Sequence, residues 1–146
     1  MNNLIIDAAS NKIFLVLITD KNIYTCSNEN SKSNFEKLII LITDFLTKNK
    51  TSIKEIDKIY VNRGPGSFAG IRNSLSIVKG LFLTQKIDYY CFSFFDFISV
   101  KKSTKNQIIK NLTLLPKYHN IKYEEIPELC TKYKIKKNLI KPLYLS

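Results

Sequence analysis

Every glycine in the chain falls within seventeen positions, at Gly64, Gly66, Gly70 and Gly80, and the only two arginines, Arg63 and Arg72, stand on either side of the first three. Glycine reaches positive φ without a steric penalty. A cluster of it between the strand-like Lys58-Ile59-Tyr60-Val61-Asn62 and the helix-like run from Ile71 to Lys86 therefore specifies a sharp strand-to-helix turn. Such a turn exposes free N–H groups at a helix N-terminus, where phosphate can be held, and nearby arginine adds to that capacity.

The spacing departs from the standard phosphate fingerprints. Lys followed by Ser or Thr does not come after the last loop glycine, as G-x-x-x-x-G-K-[ST] requires, and Gly70 stands four residues after Gly66, which breaks G-x-G-x-x-G. A nucleophile elbow is excluded as well, because Gly66 is directly next to Ser67 where G-x-S-x-G needs an intervening residue. The loop alone reads first as a structural turn.

Its length supports one domain with a real core, and 45% hydrophobic residues agree with that. A formal charge of +11 suggests nucleic acid, but 21 of the 23 basic residues are Lys, and Lys, Asn and Ile together make 56 of the 146 residues, a bias expected of AT-rich coding. The charge thus makes weak, salt-sensitive contact with nucleic acid plausible without marking a site. Cys26, Cys91 and Cys130 are odd in number and widely spaced, so the sequence encodes neither a disulfide framework nor a zinc site. No basic leader or apolar run of ~18 residues is visible. The chain therefore reads as reduced and intracellular, cytoplasmic or in the stroma or matrix of an AT-rich organelle, with no membrane partner. His119 has no partner residues for catalysis or metal binding and reads as an exposed loop histidine.

Apolar runs at Leu4 to Ile6, Ile13 to Ile18 and Ile23 to Cys26 predict a three-stranded antiparallel meander. Ser33-Asn34-Phe35-Glu36 has the S-x-x-E form of a capping box and predicts a helix to about Asn49; Ser52 to Glu55 repeats the signal before the strand at Ile59 to Asn62. After the loop and its helix, Tyr89 to Phe92 reads as a strand and Phe94 to Val100 as a helix. The order β-β-β-α-β-α-β-α predicts an α/β fold, a mixed sheet with parallel inner crossovers and helices packed on it. Further on, Ile108 to Leu115 reads as a strand and Tyr123 to Tyr133 as a short helix with Pro127 in its first turn.

The run Gly64-Pro65-Gly66-Ser67-Phe68-Ala69-Gly70-Ile71-Arg72, followed by Lys79-Gly80-Leu81, resembles the G-P-G-S-F-T-G-[LIV]-R…K-G-L signature of the TsaB (YeaZ-type) proteins, which assist the threonylcarbamoylation of tRNA. Leu4-Ile5-Ile6-Asp7-Ala8-Ala9-Ser10 is similar to that family's opening strand and turn, and Lys141-Pro142-Leu143-Tyr144-Leu145 to its terminal P-x-Y-L-R. Ala69 stands where the family usually has Thr, Ser74 where Gly is common, and Ser146 where Arg is expected. The resemblance implies one lobe of an actin/hexokinase-like (ASKHA) ATPase over residues 1–100, with residues 101–146 as a reduced C-terminal segment, the remnant of a second lobe.

In actin-like ATPases the first strand-turn carries an Asp followed by Gly and hydroxyl residues that hold metal and phosphate. Here Ala8-Ala9-Ser10-Asn11 supplies no Gly, so Asp7 and Ser10 read as a degenerate phosphate turn, with no catalytic residue, metal or cofactor assigned. The resemblance implies a noncatalytic partner subunit of a TsaD-type enzyme, joined by a TsaE-type ATPase, and a homodimer when the catalytic partner is absent. The pair of helices that builds the family's interface corresponds to Asn34 to Asn49 and Ile71 to Lys86. On these helices Leu41 and Phe45 extend an apolar stripe, Ile77 extends a second, and Asn73, Ser76 and Gly80 make a small-residue face. Cover of both surfaces by the C-terminal segment is the competing expectation. Two other functions stay open: a minimal actin-like phosphotransferase or nucleotide hydrolase using Asp7 and the loop, and a basic RNA-binding module, although the aromatic run Tyr89, Tyr90, Phe92, Phe94, Phe95 and Phe97 that such a module would want on a sheet face reads as core strand and helix.

Overall fold

The computed structural model describes residues 1–117 and 119–144. Five strands, β1 (Asn3–Asp7), β2 (Lys12–Ile18), β3 (Ile23–Glu29), β4 (Lys58–Asn62) and β5 (Asp88–Phe92), form one mixed sheet in the order β3-β2-β1-β4-β5. The meander is antiparallel, with Ile5 opposite Val16. β1, β4 and β5 run parallel, with Ile5 opposite Tyr60 and Val61 opposite Cys91. Central strands covered on both faces need continuous apolar runs, and Leu4-Ile5-Ile6 and Ile59-Tyr60-Val61 provide them, all at 4% exposure or less. The outer strand β3 alternates half-buried with exposed positions instead.

On one face Leu4, Ile6, Leu15, Ile59, Val61 and Tyr89 pack against α1 (Lys32–Glu36), α2 (Leu38–Lys48) and α3 (Phe68–Gln85). On the other, Ile5, Val16, Tyr60 and Phe92 meet Phe97, Ile126 and Cys130. The second cover is built from a 3-10 turn at Phe94–Phe97 and from α5 (Ile126–Lys132), with Ile121, Tyr123 and Ile135 beside it. Residues beyond 100 therefore complete the core of the sheet.

Several local expectations are corrected. The first predicted helix is two pieces broken at Lys37, and its cap is Ser31, whose side chain accepts from the Asn34 N–H; Ser33 is already helical. Ile108 to Leu115 is not a strand: α4 (Lys102–Lys110) buries Ile108 at the end of a polar helix, and a 3-10 turn follows at Leu112–Lys117. The predicted helix at Phe94 to Val100 is only the 3-10 turn, held by a capping box between Ser93 and Asp96. Pro127 does sit in the first turn of α5, where its missing N–H costs nothing.

Candidate functional site

β1 and β4 lie side by side and parallel, so their C-terminal ends bring the Asp7 turn and the glycine loop together. Asn62, 4% exposed, links them: its Nδ2 donates to Asp7 Oδ1 at 3.1 Å and its Oδ1 accepts from the Gly64 N–H at 2.9 Å. The Ser67 N–H donates to the Ala9 carbonyl at 2.9 Å. The turns approach so closely that a Cβ at Gly66 would collide with the Ala9 carbonyl oxygen, and one at Gly70 with that of Ala8. Gly64 has φ 109° and precedes a cis Pro65. From there the chain enters α3, with Ser67 as N-cap accepting from the Gly70 N–H at 3.2 Å. Ser74, where the family commonly has Gly, is fully buried and donates back to the Gly70 carbonyl at 2.8 Å.

Asp7 is fully buried and its carboxylate is engaged by the chain itself. The Ala9 N–H donates at 3.1 Å, the Ser10 hydroxyl at 3.1 Å, and the Tyr123 hydroxyl at 2.6 Å, in addition to Asn62. Burial pushes its pKa above the usual carboxylate value, and these four donors, Tyr123 first, pull against that shift. Neither Tyr123 nor Asn62 stands out in the sequence, since a lone Tyr 116 residues from its partner leaves no local signal.

The C-terminal strap closes the loop from the other side. The Leu143 N–H donates to the Arg63 carbonyl at 2.7 Å, and Arg63 itself pairs with Asp96 at 2.8 Å, both side chains largely buried. Tyr144 lies against Phe68 with ring centroids 4.7 Å apart, and the Arg72 guanidinium sits 5.1 Å from the Phe68 ring.

Between α1, α2 and α3 lies an open groove of ≈ 530 Å³ lined by Phe35, Leu38, Ile39, Ala69, Asn73, Ser76 and Ile77, with Lys32, Glu36 and Arg72 at its edge. Among the described residues the strap reaches the neighbouring side of α3, where Ile140, Pro142 and Tyr144 meet Arg72, Leu75, Ser76 and Lys79.

The family model of TsaD, tRNA N6-adenosine threonylcarbamoyltransferase, matches residues 28–110, more than half of the chain. The chain belongs to this family. Within it, the chain is similar to proteins named tRNA threonylcarbamoyladenosine biosynthesis protein TsaB. It is 29% identical to the one from Buchnera aphidicola (Schizaphis graminum) over 73% of this chain and 52% of that protein. To the Escherichia coli K12 protein it is 30% identical over 57% of this chain and 36% of that one. The chain thus spans about half the length, or less, of these curated relatives. Among solved structures, YeaZ from Pseudomonas aeruginosa superimposes with a TM-score of 0.58 at 21% identity, covering 63% of this chain and 43% of that chain, which establishes the actin-like ATPase fold.

Against the expectations drawn from the TsaB resemblance, Gly64, Pro65, Gly66, Ser67, Phe68, Gly70 and Arg72 form the loop and the first turn of α3. Asn73, Ser76 and Ile77 line the groove, and Gly80 faces open space. Leu41 is half-buried against the core. Phe45 is corrected outright: it is 5% exposed and belongs to the core. Phe45 falls on the same stripe as Leu38, Ile42 and Leu46, at i, i+4, i+7 and i+8 of α2, which leaves Ile39, 41% exposed, facing the groove. His119 is also corrected. It is half-buried and stacks on Phe94 with centroids 4.7 Å apart, and burial lowers its pKa. Cys91 and Cys130 are free thiols pushed by burial to about 11 and about 12. Among the described residues no three His, Cys, Asp or Glu side chains gather to hold a metal ion, and no helix is long and apolar enough to cross a membrane.

Proposed function

We propose that this chain is a noncatalytic partner subunit for threonylcarbamoyl transfer to tRNA, docking on a TsaD-type catalytic protein through the groove between α2 and α3. One observation carries the reading. Among the described residues, Ile121 to Ile135 pack on the opposite face of the sheet and Ile140 to Tyr144 on the neighbouring side of α3, and the groove stays open, although Ile39 and Ile77 line it beside the small Ala69 and Ser76, which let a partner helix approach closely. The engagement of Asp7 by Ala9, Ser10, Asn62 and Tyr123 supports a structural role for this turn over a phosphotransferase, whose carboxylate must reach metal or phosphate. Alone, the chain is expected to pair with a second copy through the same face, and a TsaE-type ATPase would join the heteromeric complex.

Calorimetric titration of the full chain into a TsaD-type protein tests this, with formation of threonylcarbamoyladenosine on tRNA as the activity readout. Ile39→Glu places a charge that must lose its hydration on docking, and Gly80→Leu fills the approach. Both side chains would face solvent in the free protein, so melting should change little while binding and stimulated activity fall at least tenfold. Unchanged binding in both variants would refute the assigned face, and no binding by the wild type would refute the subunit role.

A further inference from the structure

Coding bias toward lysine acts along the whole chain, yet the charge is unevenly placed. Residues 1–100 carry twelve basic against nine acidic side chains, whereas residues 101–146 carry eleven lysines against three glutamates. The densest stretch is Lys132-Tyr133-Lys134-Ile135-Lys136-Lys137, which runs from the last residue of α5 to the edge of β5. Its backbone is fixed. The Tyr133 N–H donates to the Leu129 carbonyl at 2.9 Å, the Ile135 N–H to that of Cys130 at 2.9 Å, Lys134 takes φ 56°, and Lys137 bridges to Tyr90. Ile135 packs inward while the four lysines stay exposed. Tyr133 is 44% exposed, leans on Phe97 at 5.7 Å, and has the Lys132 ammonium 5.5 Å from its ring. From β4, Lys58 adds an ammonium 5.9 Å from the Tyr90 ring. Two acidic groups lie close by: Asp88 meets Lys137 at 3.6 Å, and Glu128 stands one turn before Lys132.

We propose that this strip is an RNA-binding surface, its lysines contacting phosphates and Tyr133 offering a ring on which an unstacked base can lie. Fixed cations beside an exposed aromatic ring fit a nucleic acid better than a membrane, because the apolar side chains of α5, Ile126, Leu129 and Cys130, are spent on the core. That the RNA is a tRNA rests on the function proposed above; the surface itself does not.

Fluorescence anisotropy with a tRNA transcript, titrated with the full chain at about 50 to 200 mM salt, provides the test. The variant K132Q/K134Q/K136Q/K137Q should bind at least tenfold more weakly, with the slope of log affinity against log salt reduced by about 3, since each phosphate contact contributes about 0.7 to 0.9. The variant K12Q/K21Q/K48Q/K54Q removes equal charge from other exposed sites and should keep both affinity and slope. Tyr133→Ala should lose affinity severalfold with the slope unchanged. Equal losses in the two quadruple variants, no tRNA binding by the wild type, or tighter binding to phosphatidylserine vesicles than to tRNA would each overturn the proposal. The strip variant should still bind the TsaD-type protein; tRNA affinity in a wild type that fails to bind that protein would sink the subunit reading and leave this one standing.

Discussion

The carboxyl of Asp7 is where burial and hydrogen bonding compete most directly, and the balance has a measurable sign. Burial raises its folded pKa above the ordinary 3.8, so this group's contribution to stability is fully present below that value and is lost as pH rises through the folded value. Asp7→Asn keeps an acceptor for Ala9 and Asn62 but cannot ionise. Urea denaturation from about pH 3 to about pH 7 should therefore show the wild type losing stability relative to Asp7→Asn as pH rises. Tyr123→Phe removes the foremost donor opposing the shift and should steepen the loss. A wild type that holds its stability relative to Asp7→Asn as pH rises would mean that the hydrogen bonds balance burial, and one that gains would mean that they outweigh it.

The loop and its helix place two glycines of opposite consequence a few turns apart. A side chain at Gly66 would strike the Ala9 carbonyl, and Gly66→Val should destabilise the fold by about 1–3 kcal/mol or prevent it. Gly80 lies in the helix interior with nothing within 4 Å of an added Cβ, so Gly80→Ala should stabilise by about 0.5–1 kcal/mol. Equal effects in thermal melts would contradict these geometries. This loop was legible from the sequence because strand, glycines and helix are contiguous, and alternation with short polar breaks likewise revealed the meander. What escaped depends on phase or distance. On α2 both flanks of the stripe are apolar, and the stripe through Leu38, Ile42 and Leu46 takes in Phe45 and leaves out Ile39. Two adjacent isoleucines, Ile108 and Ile109, mimicked a strand inside a helix, and the Tyr123–Asp7 bond has no trace in either neighbourhood.

At the scale of the molecule, the C-terminal segment shares one of the two covers of the sheet with the Phe94–Phe97 turn. Removing it would leave Ile5, Val16, Tyr60 and Phe92 with only the Phe94–Phe97 turn beside them, and Asp7 without Tyr123. At about 1.5–3 kcal/mol for each large side chain, an upper estimate, the loss rivals the 5–15 kcal/mol that typically holds a domain together. A fragment of residues 1–100 is therefore expected to lack a cooperative urea transition; a sharp two-state transition near that of the full chain would show that the first hundred residues fold unaided. The strap has a further consequence during translation. A ribosome releases Asp7 116 residues before Tyr123, and Arg63 well before Leu143, which at about 5–20 residues per second is a wait on the order of ten seconds. Through that interval the nascent sheet has one incompletely covered apolar face and an unclosed glycine turn, so slowing the codons between Arg63 and Leu143 would prolong its dependence on chaperones, and speeding them would shorten it.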